Sequence, residues 1–176
     1  MERIYNITYK QKTIHLKYAE ILHTIEDLSY KWGETSTKDD AVKDSVQADS
    51  EDRLDAAVLS RLISSRVSEL EDMLSAYVES EEVDEVSNEV SEVEEYTIRI
   101  RVPETFPAVR LKTLCSMMHD YVAMGALADW YNMIGTGFGV SMGAALSTLQ
   151  NKLVTCLKGG ILKHHHIIHQ DNWHER

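Results

Sequence analysis

Pro103 and Pro107 are the only two prolines in the chain, and they stand at the head of the stretch PETFPAVRLKTLCSMMHDYVAMGALADWYNMI. A proline has no backbone N–H and holds φ near the helical value. The pair therefore ends an extended run and opens a helix, where the missing donor costs little. Leu111, Leu114, Met118, Tyr121, Gly125 and Ala128 then recur at steps of three and four, which writes one apolar helix face. The opposite face changes along its length: Lys112, Ser116 and His119 are polar, while Ala123, Leu127 and Trp130, at nearly the same angles further on, are apolar. A helix that is apolar front and back must be covered on both sides. In a small domain the second cover is often another subunit. Ala123, Leu127 and Trp130 are thus expected at a subunit interface, which points to assembly rather than catalysis.

Other elements follow from the same periodicities. Tyr5, Ile7 and Tyr9 alternate with Asn6 and Thr8, as in a short strand or an extended arm over residues 1–12. Thr13 is placed to cap a helix whose face is Ile14, Tyr18, Ile21, Leu22, Ile25, Leu28 and Trp32, with Gly33 as its stop. A polar connector, 34–50, leads to a long helix expected from Asp49 or Ser50 to about Val78. Glu51, Asp52 and Asp55 lie in its first turns, where the helix dipole favours negative charge. YTIRIRV, Tyr96–Val102, is the clearest strand and needs a partner: the N-terminal strand, a hairpin neighbour or a strand from another subunit. A last helix runs from Met142 to Leu157, closed by Gly159 and Gly160. The expected fold is mainly α: four principal helices in a bundle-like core with a small β element. The helical domain spans 13–158 and a His-rich arm spans 159–176.

Candidate chemistry is sparse. Glycines 135, 137, 139 and 143 suggest a phosphate loop, but a dinucleotide fingerprint needs glycine where Val140 stands and a strand where a helix is expected. A flexible helix–helix connection fits better. His164, His165, His166, His169 and His174 are residue types that suit zinc or nickel. Neighbouring histidines in a tail rarely converge on one closed site, and no Cys or carboxylate spacing completes it. Ile161, Leu162, Ile167, Ile168 and Trp173 read instead as an arm that docks. His119 and Asp120, with Asp129 beyond them, point in different directions around a helix and form no dyad. A satisfied surface histidine and a capping or paired aspartate are expected. Cys115 and Cys156 sit among apolar residues and read as buried thiols. The expectation is no enzyme, no metal and no cofactor.

Charge narrows the partners. The formal net charge is -11, which disfavours gripping nucleic acid by its phosphates. Residues 79–95 are acidic, with Val83, Val86, Val90 and Val93 spaced three, four, three. That segment reads as a solvated excursion or weak helix, or else as a partner-binding stripe covered only in an assembly. No run reaches the ~18 apolar residues of a membrane span. The N-terminus has no signal-like apolar core, so synthesis in a reducing cytoplasm is expected.

The order acidic start, long helix, connector, β segment and Pro-led helix, carried by DSEDRLDAAVLSRLISSRVSELEDMLSAYV and PAVRLKTLCSMMHDYVAMGALADWY, resembles the small helical head-to-tail connector (adaptor or neck) proteins of tailed bacteriophages, in particular virion proteins of phages infecting Bacteroides-type bacteria. The resemblance covers roughly residues 49–157. It implies a homo-oligomeric ring, commonly of twelve copies, that seats on the portal, bridges it to tail proteins and passes DNA without binding it specifically. It implies a virion protein made in the host cytoplasm, with no enzymatic activity. Glu81, Glu82 and Glu85 would then face the DNA channel, and Tyr5, Ile7, Tyr9, Ile167, Ile168 and Trp173 would lock neighbours. The alternatives are a tail-completion or terminator protein, a non-viral adaptor module using the valine stripe, and a metal-binding protein using the histidines.

Overall fold

The computed structural model describes residues 8–36, 47–48, 53–78 and 93–170, the side chains of 35–36, 53–55 and 160–170 excepted. Their order is β1 (Tyr9–Lys17), α1 (Tyr18–Ser36), α2 (Arg53–Met73), β2 (Glu95–Pro103), α3 (Ala108–Met133) and α4 (Phe138–Gln170). The chain is mainly α, with four helices and a two-stranded antiparallel sheet.

The partner of β2 is the N-terminal strand, and it runs on to Lys17, past the end that the sequence suggested. Tyr9 pairs with Pro103 and Lys17 with Glu95. Ile14 and Leu16 therefore belong to the strand, and Thr13 lies within it rather than capping a helix. The alternation of Thr13, His15 and Lys17 with Ile14 and Leu16 fits period two as well as the start of a helical stripe. The buried partners Ile98, Ile100 and Val102 decide in favour of the sheet. Fully burying each such side chain contributes about 2 kcal/mol. The other edge of β2 is engaged after α2: Tyr77 O accepts from Arg101 N at 2.6 Å, and Val78 bridges Ile100. For that reason α2 stops at Met73, short of the expected Val78.

α3 is the axis. It runs parallel to α1, since His119 meets Thr24 and Tyr131 meets Ser29. It runs antiparallel to α2, through the pairs Tyr121–Glu69 and Asp129–Arg66, and to α4, through Arg110 and Cys156. α1 buries Ile21 and Ile25 against it, and α2 buries Leu59, Ile63, Val67 and Leu70. The one buried polar side chain among the described residues, Ser29, is satisfied: its hydroxyl donates to Glu26 O at 2.9 Å and accepts from Ala48 N at 3.1 Å.

Five glycines behave differently from expectation. Gly33 is buried inside α1, which continues to Ser36. Gly139 and Gly143 are helical, so the α3–α4 connection is only residues 134–137 and not a loose glycine loop. Gly135, at φ 75°, closes α3: its N–H reaches Asn132 O while Thr136 N reaches Tyr131 O, the paired pattern of a Schellman end. Gly159 and Gly160 do not end α4. Arg110 Nη1 donates to Cys156 O at 3.1 Å, and a Cβ at Gly159 would lie 2.9 Å from that same nitrogen. The glycine there makes room for an arginine.

Candidate functional site

The most organised polar cluster joins α2 to α3. Arg66 Nε donates to Asp129 Oδ2 at 2.7 Å and Nη2 to Oδ1 at 2.6 Å, a two-pronged pairing. Its third nitrogen, Nη1, donates to Glu69 Oε2 at 2.6 Å, and the Tyr121 hydroxyl donates to Glu69 Oε1 at 3.0 Å. Gly125, one turn before Asp129, supplies the slot: a Cβ there would sit 2.8 Å from Arg66 Cδ. The hydrogen bonds to Asp129 outweigh burial and raise the Arg66 pKa, so the guanidinium stays charged. Burial, helped by the bond to Glu69, raises the Tyr121 pKa. Every group here is engaged with a neighbour in the chain. The cluster cross-links two helices and leaves no poised base or acid.

A groove runs along α4. Its upper part, about 420 Å³, has Thr24 and Leu28 of α1, Asp120 and Met124 of α3, and Ala145 and Leu149 of α4 on its walls. Its lower part, about 640 Å³, lies between Arg110, Thr113 and Met117 on one side and Asn151, Thr155 and Cys156 on the other. Thr148 and Lys152 line both parts. The floor is largely apolar and the mouth is open.

The expected interface on α3 requires correction. Ala123 and Leu127 are 0 % exposed and Trp130 4 %, all within the single chain. α1, α2 and α4 cover that side, so these three residues belong to the core and present nothing to another subunit. Periodicity showed that the second face needed a cover but carried no information on whose it was.

The remaining candidates scatter. Tyr9 is 41 % exposed on β1, with the Arg101 guanidinium 5.3 Å from its ring centroid. Ile167 and Ile168 lie in the last turns of α4. Tyr5, Ile7, Trp173, Glu81, Glu82 and Glu85 lie outside the described residues. His119 Nε2 is 2.8 Å from Thr24 Oγ1, satisfied as expected but half-buried rather than on the surface, and Asp129 is paired as expected. Cys115 and Cys156 are free and half-buried rather than buried. Burial raises the Cys115 pKa, which makes it a poor nucleophile. Among the described residues no three His, Cys, Asp or Glu side chains gather as a metal would need, and no helix is long and apolar enough to cross a membrane.

The Arg66–Asp129 clamp is the feature that sequence reasoning missed as a unit. A signal was present: Gly125 and Asp129 are one turn apart on an otherwise apolar face, opposite an arginine on the flank of α2. Comparison with protein families, with curated proteins and with solved structures returns no match.

Proposed function

We propose that this chain is a structural subunit that assembles with copies of itself, and that its place is the head-to-tail connector of a tailed phage. The observation that supports this reading is the order of elements around α3. A Pro-led helix follows a β segment and a long acidic-flanked helix, which is the order on which the connector resemblance rests. The Arg66 clamp adds support of a physical kind. A subunit that bears load between portal and tail needs helices that do not slide, and a two-pronged ion pair fixes the register of α2 against α3. The lateral contacts of such a subunit must lie elsewhere than Ala123, Leu127 and Trp130.

Native mass measurement and negative-stain imaging of the purified chain at micromolar concentration test the reading. The expected outcome is a discrete high-order ring. A monodisperse single chain at the highest soluble concentration overturns it and favours an adaptor module.

A further inference from the structure

We infer that the outer edge of β1 takes up an acidic, extended segment of another protein, which adds to the sheet as a strand. This goes beyond the connector reading, because it concerns the sheet and holds for a ring subunit or a single chain alike.

Hydrogen-bond parity fixes which backbone groups the edge offers. Glu104 N donates to Thr8 O at 3.0 Å and Tyr18 N to Glu94 O at 3.0 Å, so the even-numbered residues of β1 exchange hydrogen bonds with β2. Arg101 N donates instead to Tyr77 O on the far side of β2, the same alternation seen from the other strand. The N–H and C=O groups of Tyr9, Thr13 and Lys17 therefore point away from β2. β2 has β1 on one edge and Val78 on the other. Among the described residues no strand pairs with the outer edge of β1. Near its end that edge is approached by α3, since the Cys115 thiol lies 4.0 Å from His15 O. The earlier part is open: Tyr9, Lys10 and Thr13 are exposed, and Lys12 is half-buried. Such an edge is a template for one more strand.

Charge selects the occupant. The two nine-residue strands carry Lys10, Lys12, Lys17, Arg99 and Arg101 against a single acid, Glu95, in a chain whose net charge is -11. Cationic side chains are thus gathered on the sheet of an acidic protein. Lysines on an edge oppose a like-charged strand, so β1 of a second copy is rejected. The same lysines attract a strand that bears carboxylates. Lys10 already pairs with Glu104 inside the chain, so Lys12 and Lys17 carry the attraction. A nucleic-acid backbone would answer the charge but not the ladder, because it has no alternating N–H and C=O groups to offer.

Fluorescence anisotropy of the full chain with a labelled peptide of alternating glutamate and valine tests the inference. The peptide is expected to bind, more weakly as salt is added, and a lysine–valine peptide of the same length is expected not to bind. Thr13→Pro is the discriminating variant. The Thr13 N–H points outward, so proline there removes a donor from the edge and none from the β1–β2 ladder. Binding is expected to weaken by about fivefold, the effect of one lost hydrogen bond, at an unchanged thermal midpoint. Replacing Lys12 and Lys17 together by glutamine should weaken it by about threefold at low salt, and this variant decides the matter if Thr13→Pro does not fold. A glutamate–valine peptide that does not bind overturns the inference, as does equal binding of the lysine–valine peptide. A folded Thr13→Pro chain that binds like the wild type overturns strand addition. Single-stranded DNA that displaces the peptide and binds more tightly overturns it in favour of a phosphate-binding face. None of these outcomes alters the ring measurement that tests the connector reading.

Discussion

From Tyr121 to Ala128 no residue of α3 is charged, and all but Met124 are buried; from Met133 to Thr148 no residue is charged either, yet Met133, Val140, Ala144 and Ser147 face solvent. The two stretches are alike in lacking charge and are separated only by residues 129–132. The first is roofed by three helices, and the second is covered along one side of α4 only. Apolar content therefore measures the need for cover, and topology decides which part of that need the chain meets itself.

The contrast is broken most directly by truncation. Leu127→Ala should cost about 3 kcal/mol of unfolding free energy, the transfer and cavity terms of a fully buried leucine. Val140→Ala should cost less than about 0.5 kcal/mol. Urea titration of both reads the difference, and equal losses would mean that the two stretches are covered alike.

Glycine substitutions sharpen the same contrast at smaller amplitude. Gly139→Ala pushes a methyl against Ala128 O, 2.5 Å from the ideal Cβ, and should destabilise by about 2 kcal/mol as an overpacked contact. Gly143→Ala meets open space and should stabilise the helix by about 0.5–1 kcal/mol. The sign change within one turn of α4 is visible in thermal midpoints.

The smallest effect at neutral pH belongs to Tyr131, whose phenol is pushed up from 10.0 to about 12 by burial. Above pH 10 the unfolded chain ionises this group while the folded chain keeps it protonated, so stability falls between about pH 10 and 12. Tyr131→Phe should flatten that part of the stability–pH curve and change little at pH 7. A variant that declines as steeply as the wild type would place this ring in a wetter setting than the roofed half of α3.

Much of the fold was legible. The prolines and the three-four spacing placed α3 within a residue of its observed ends, because helix start and apolar period are local properties. β2 was legible for the same reason. The boundary between β1 and α1 was not: Ile14 serves a strand pattern and a helix pattern equally, and only pairing with Ile98 separates them. The ends of α1 and α4 were misread at Gly33 and Gly159, where glycine answers to a tight contact or a helical interior rather than a cap. The candidate site was less legible still. Arg66 and Asp129 are far apart in sequence, and no periodicity joins them.

The sequence by itself determined that this chain is mainly helical, that Pro107 opens its axis and that the axis is apolar all round from Val122 to Ala128. Those are local matters of backbone donors and side-chain period. Only the tertiary structure decided that Ala123, Leu127 and Trp130 are covered from within, and that the uncharged turn beyond them is not. Burial depends on which helices the connections bring to each face, and that information is shared among segments distant along the chain.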